Sequence, residues 1–98
     1  MENKKITILW SKRAGKSLEN IFNYYFKLSE PSAERIRKDI LKTVATLRFL
    51  EQYQVDEINT EYRRMVIRHY KIVYKVKRNT ILILNIFDTR QDPSKGKL

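Results

Sequence analysis

The sequence predicts an α+β fold of order β-α-α-β-β-β, a twisted antiparallel sheet with a helical hairpin packed on one face. Three observations predict it. A short β-rich run is followed by two stretches whose apolar residues recur at three- and four-residue spacing. The second half instead alternates with a period of two and contains one nearly all-apolar run. The links within that half are short, and short links force consecutive strands to pair antiparallel, because a parallel crossover needs about a dozen residues or more.

Lys5 to Trp10 is the first predicted strand. Ser11 is placed to cap a helix, and Ala14, Leu18, Ile21, Phe22 and Tyr25 then form an amphipathic stripe reaching about Leu28. Gly15 in its first turn is a small cost. Ser29 to Ser32 is a break, because Pro31 disfavours helix at Glu30 and suits the first turn of a new one. Ala33, Ile36, Ile40, Val44 and Leu47 make the second stripe, which ends near Phe49. Its other face carries Arg35, Lys38, Lys42 and Arg48. Residues 51–60 are a polar connection and the only acidic stretch, with Glu51, Asp56 and Glu57.

Three strands are then expected. The first is Tyr62 to Ile67. In the second, Tyr70 to Val76, period two puts Tyr70, Ile72, Tyr74 and Val76 on an apolar face and Lys71, Lys75 and Lys77 with Val73 on the other. The third, Ile81 to Phe87, is nearly all apolar and suits a central strand buried on both sides. Arg78 and Asn79 make the hairpin turn, since Asn tolerates positive φ. The tail, Asp88 to Leu98, contains Pro93 and Gly96 and is expected to fray at its end.

With 98 residues, 42% hydrophobic and only two Gly and two Pro, residues 1–98 read as one domain with a modest core. The absence of cysteine excludes disulfides and thiolate chemistry. The run from Ile6 to Trp10 is too short for a signal sequence, no stretch is long enough to span a membrane, and a cytoplasmic location is expected. No membrane partner is expected.

The charge is informative. Twenty-one Lys and Arg face 11 Asp and Glu, for a net +10. Residues 60–98 hold 10 of the basic residues and 3 of the acids, a net +7, against 11 and 8, a net +3, in residues 1–59. Such an excess points to an anionic partner, although a solvated basic surface gives the same count. Arg64 and Arg68 share one face of their strand, and Lys71, Lys75 and Lys77 share one face of the next. If the helices cover the apolar face, these charges converge on the open side of the sheet.

Other chemistry is sparse. With one histidine, His69, and no cysteine, a zinc site is not expected, and neither is any other metal or cofactor. His69 reads as a solvent-exposed turn residue, with general-base work as the alternative. No Walker A loop, dinucleotide fingerprint or G-x-S-x-G elbow occurs. Asp88 and Asp92 are read as structural partners of Arg90 or Lys95. Tyr62 beside Arg63 and Arg64 could stack a base next to a phosphate contact, whereas Tyr70 and Tyr74 are read as core.

The stretch from Glu61 to Val76, with Tyr62, Arg63 and Arg64 opening it and Tyr70, Ile72 and Tyr74 alternating along it, resembles the RelE/ParE toxin superfamily of type II toxin–antitoxin systems. So does the close at Phe87 to Pro93, with Thr89, Arg90, Gln91 and Asp92. The first half fits as well, in its short strand, its helix and the run from Ser29 to Glu34 that opens the second helix. The resemblance implies the β-α-α-β-β-β fold and a cognate antitoxin whose acidic or amphipathic tail wraps the toxin. It also implies one of two activities. RelE-like members cleave mRNA in the ribosome, and Arg63 or Arg64, Lys71 and Arg90 are the nearest matches to their cationic site. In that case Arg64, Lys71 and Arg90 are the catalytic candidates. ParE-like members poison DNA gyrase without chemistry. Here Lys71 stands where an Arg is usual, and no Tyr or His follows Arg90. The long hairpin and the Arg90 to Pro93 ending look more ParE-like. In either case Arg63, Arg64, Arg68, Lys71, Lys75 and Arg90 are the expected anion- or target-binding residues. The functions carried forward are a plasmid-stabilisation toxin binding gyrase, a ribosome-dependent endoribonuclease, and a nontoxic nucleic-acid-binding module of the same fold.

Overall fold

A computed structural model describes residues 6–47, 53–91, 93–96 and 98. Its elements are β1 (Thr7–Trp10), α1 (Lys12–Phe26), α2 (Glu30–Ala45), β2 (Arg63–Ile67), β3 (Tyr70–Lys77) and β4 (Thr80–Asp88), followed by a 3-10 turn at Pro93–Gly96. The expected α+β order is therefore present. Lys5, Phe49, Glu51 and Asp92, which figure in the sequence reading, lie outside the described residues.

Both helices start at serines. An N-terminal turn has amide groups with no partner inside the helix, and a serine hydroxyl can accept from one of them. Ser11 Oγ accepts from Ala14 N at 3.0 Å, and Ser29 Oγ accepts from Ser32 N at 3.4 Å. Pro31 falls in the first turn of α2, where its missing N–H costs nothing. The second helix ends at Ala45, earlier than its apolar stripe suggests. Thr46 is the cap, and its hydroxyl donates to the Thr43 carbonyl. Leu47 lies past the helix yet is fully buried, so it belongs to the core without belonging to the helical stripe.

The sheet order is β1-β4-β3-β2. The three later strands pair antiparallel, as expected. At β1 the expectation of an all-antiparallel sheet is corrected: β1 pairs parallel to β4, from Thr7 opposite Thr80 to Trp10 opposite Ile83. The sheet is mixed because α1, α2 and the loop after them lie between β1 and the other strands. That is the long connection a parallel neighbour requires. As expected, β4 is central.

The helices cover one face. Ile36, Ile40 and Val44 of α2 meet Met65, Ile72, Tyr74, Ile81, Ile83 and Ile86, with Leu18 and Ile21 of α1 packed against them. In β4 the core residues Ile83 and Ile86 are three apart, which period two does not allow. The register explains it. Val73 faces Asn85 and Tyr74 faces Ile83, so Leu84 is an extra residue, a β-bulge. The first helix is fastened to this bulge. Ser11 Oγ donates to the Leu84 carbonyl at 2.8 Å, and Ser17 Oγ donates to Asn85 Oδ1. One serine hydroxyl thus caps α1 and also ties it to the sheet.

The hairpin between β3 and β4 turns at Arg78, whose φ is 57°, and the link between β2 and β3 turns at Arg68, also at 57°. The expectation that Asn79 carries the positive φ is corrected to Arg78. Near the end of the tail the 3-10 turn packs on the chain, with Gly96 buried, while Leu98 is exposed.

Because Ser11 makes two hydrogen bonds through one hydroxyl, Ser11→Ala should lower stability by about 1–2 kcal/mol. Ser29→Ala, which removes only a long cap bond, should cost less. Urea denaturation of the two variants checks the order.

Candidate functional site

On the sheet face away from the helices, the cations expected at an open surface meet a carboxylate. Arg64 lies opposite Val73 and Val66 opposite Lys71, so Arg64 and Lys71 share that face. Beside them stands Asp56, from the loop that precedes β2, with no solvent exposure at all. Lys71 Nζ lies 2.8 Å from Asp56 Oδ1, and Arg64 Nε lies 3.8 Å from the same oxygen. Asp56 Oδ2 accepts from the backbone N–H groups of Ile58 and Asn59 and from Asn59 Nδ2. Burial by itself would raise the Asp56 carboxyl, but the Lys71 ammonium and the Asn59 amide groups outweigh it and hold the carboxyl below its ordinary value.

Asn59 carries the connection onward. Its Nδ2 donates to the Gly96 carbonyl at 2.8 Å, and its Oδ1 accepts from Leu98 N at 3.0 Å. The C-terminal turn is thereby held against the loop. At Gly96 an added Cβ would stand 3.2 Å from Ile58 Cδ1, a tight approach, and 3.6 Å from Lys71 Nζ, an ordinary contact. Lys71 is buried beneath this cover, and its expected exposure is corrected. Asp56 was missed as a site residue. The one sequence signal was an Asp two and three residues before Ile58 and Asn59 in a polar link, the pattern of a side chain closing a local turn.

The remaining expected residues disperse. Arg63 Nη1 donates to the Tyr53 carbonyl at 2.7 Å. Arg64 Nη2 also reaches Glu57 at 3.3 Å. Arg68 was expected to share a face with Arg64. Its strand ends at Ile67, however, and the left-handed backbone at Arg68 turns the side chain to Asp39 of α2, at 2.6 Å. Lys75 is exposed. Arg90 pairs with Asp88 at 3.1 Å, the structural pairing expected for Asp88.

Arg90 borders a cleft of about 610 Å³ between α1 and the end of β4, whose walls include Tyr24, Tyr25, Tyr70 and Lys95. Tyr70 belongs to the helix-side core, so Arg90, past the end of β4 beside that cleft, and Lys71 serve opposite sides of the sheet. His69 is half-buried, which corrects the solvent-exposed reading, and its Nε2 lies 3.2 Å from the hydroxyl of Tyr25 in the cleft wall. Burial, then the nearby Arg90 charge, holds the imidazole below its ordinary value. Burial likewise pushes the Tyr70 phenol up, with Tyr25 adding to the effect. No helix among the described residues is long and apolar enough to cross a membrane.

The profile of the ParE toxin of type II toxin–antitoxin systems matches residues 8–93. No curated protein matches the chain. Among solved structures, a chain of the chromosomal ParDE toxin–antitoxin system from P. aeruginosa superposes with a TM-score of 0.72 at 23% identity, over 83% of this chain and 92% of that one. The solution structure of the conserved hypothetical protein HP0894 from Helicobacter pylori gives 0.58 at 13% identity, over 88% and 97%. At these identities the two structures establish a shared fold.

Two outcomes follow from the site's electrostatics. Asp56→Ala leaves Lys71 buried without its counter-charge and should cost about 3–5 kcal/mol, whereas Asp56→Ala with Lys71→Met, which leaves no ammonium under the cover, should recover part of the loss. The pH dependence has a definite sign. A carboxyl held lower in the folded chain stabilises above its unfolded value of 3.8 and stops doing so as pH falls through the folded value. Thermal midpoints should therefore drop below about pH 4, more steeply in the wild type than in Asp56→Ala.

The single imidazole supplies a second reading of charge. Titrated by NMR, His69 should show a midpoint below 6.5, and Arg90→Gln should raise it by removing a nearby positive charge.

Proposed function

The chain belongs to the ParE toxin family of type II toxin–antitoxin systems, and on that premise we propose that it inhibits growth by binding an essential target such as DNA gyrase, without cleaving RNA, and is neutralised by a cognate antitoxin. One observation carries the choice between binding and cleavage. Of the three cations that a ribonuclease reading would unite on one phosphate, Lys71 is sealed under Asp56 on one side of the sheet. Arg90 stands on the other side, paired with Asp88. Stabilising a phosphoryl transition state needs donors preorganised around one position. A dispersed set of partly neutralised arginines suits a contact surface instead, where each rim residue contributes little. The +10 net charge supports an acidic antitoxin, which would neutralise basic residues as its tail orders on the surface.

Pulse-labelling of DNA and protein synthesis after inducing this chain alone in bacteria tests the reading. DNA synthesis should fall first, with a damage response. Arg90→Ala should leave that inhibition within about fivefold, the factor for about 1 kcal/mol. Protein synthesis falling first, with a loss of about 100-fold or more in Arg90→Ala, would instead establish ribosome-dependent mRNA cleavage.

A further inference from the structure

A β-bulge shapes the floor of the cleft between α1 and the end of β4. Because Leu84 is the extra residue, Asn85 and Ile86 both reach the helix side, Asn85 to Ser17 and Ile86 into the core. Asn85 is only 8% exposed, and its amide has a fixed orientation. The atom that meets Ile86 N at 2.8 Å and Ser17 Oγ is its oxygen, since a backbone N–H can only donate. Its Nδ2 is then a donor on the cleft for which nothing among the described residues accepts. A nearly buried donor left so costs free energy and calls for an acceptor that the chain does not supply. Tyr24 forms one wall. It is 58% exposed, and its ring stands edge-on to Tyr25 at 5.1 Å between centroids. Tyr25 in turn is held by His69 and packs on the core, so the Tyr24 ring has a fixed support. At the mouth stand two exposed cations. Arg90 is shared with Asp88, and Lys95 makes no ion pair among the described residues.

We infer that this cleft binds one unpaired nucleotide, with its base against Tyr24 and the Asn85 amide and its phosphate at Lys95 and Arg90. Each part of the ligand answers a feature of the site. The ring acceptors of a base answer the free Asn85 donor, and Asn20 and Gln91, which also line the cleft, can both donate and accept. The exposed face of Tyr24 stacks any base, because every base has a π-face. The cations at the mouth hold the phosphate. A volume of about 610 Å³ is the size of a small-ligand pocket. It suits one nucleotide and not a duplex, whose bases are already stacked and paired. A carboxylate from another protein would answer the cations but leave the Tyr24 face bare. The site lies across the sheet from the Asp56 and Lys71 pair. The inference concerns binding, and it holds whichever target the toxin inhibits.

The test is an NMR titration of the isotope-labelled full chain with each of the common deoxynucleoside monophosphates, and with deoxyribose phosphate as the probe that lacks a base. At least one nucleotide should shift the side-chain amide signals of Asn85 together with the backbone amides of Tyr24 and Gln91. Deoxyribose phosphate should bind at least about fivefold more weakly. Tyr24→Leu, at an exposed position, keeps apolar bulk, removes the stacking face and should cost a similar factor. Phe26→Leu removes another exposed ring of α1, one outside the cleft, and should change affinity by less than about twofold. Lys95→Gln should weaken binding and flatten its salt dependence. A single-stranded oligodeoxynucleotide of the preferred base separates two sources of the same chemistry. Tighter binding than the monophosphate at the same signals assigns the site to a nucleotide within a strand, and equal or weaker binding assigns it to a free nucleotide. The inference is overturned if no monophosphate shifts the Asn85 amide, or if deoxyribose phosphate binds as tightly as the nucleotides. Equal losses in Tyr24→Leu and Phe26→Leu, or an unchanged affinity in Lys95→Gln, would also overturn it.

Discussion

The ion pair between Asp56 and Lys71 fastens the loop before β2 onto the sheet. Asp56 comes from the loop before β2, Lys71 from the start of β3, and Asn59 passes the contact on to the C-terminal turn. Two opposite charges taken out of water repay their desolvation only if geometry and further hydrogen bonds are good, and here the carboxylate also accepts from two backbone N–H groups and a side-chain amide. A pair of this kind contributes less to net stability than to choosing one arrangement, because any other placement of the loop leaves a charge buried alone. The acidic loop, the strand and the tail therefore have one mutual position.

That position makes the two sides of the sheet unlike. The helix side is an ordinary apolar core, with α1 tied to the β4 bulge through Ser11 and Ser17. The far side has its cationic row divided. Lys71 is neutralised from within, while Lys75 and Lys77 remain charged toward solvent. Net charge alone described a basic sheet half. The geometry shows a shorter basic strip, from which Lys71 is withdrawn.

Much of this was legible from single strands and helices. The Ser11 cap, the new helix opening around Pro31, the first apolar stripe and the period-two run of β3 each depend on neighbours within a few residues, and each stands where the pattern puts it; the break itself is shorter than expected, since Glu30 already belongs to α2 and Ser29 caps it. The family resemblance was legible for the same reason, since it rests on the order and spacing of short local motifs. The errors share a cause too. Arg68 and Lys71 were assigned to the open face by counting along a strand, and counting cannot see that Arg68 leaves the strand in a left-handed turn, nor that a remote loop covers Lys71. Nothing near His69 in sequence reveals Tyr25 of α1 lying beside its ring, so its local pattern suggests more exposure than it has.

The sequence by itself determined the elements, their order, the face each one buries and the excess of positive charge in the second half. These follow from backbone propensity, side-chain period and composition, all of which act locally or by simple sum. Only the tertiary structure decided that β1 runs parallel beside β4, that a bulge at Leu84 resets the alternation, and that the expected cations separate into buried, paired and bare groups. Those outcomes depend on which distant segments come within a few ångströms of one another. At that range a single carboxylate, placed or not placed, determines whether a lysine is a buried partner or an exposed charge.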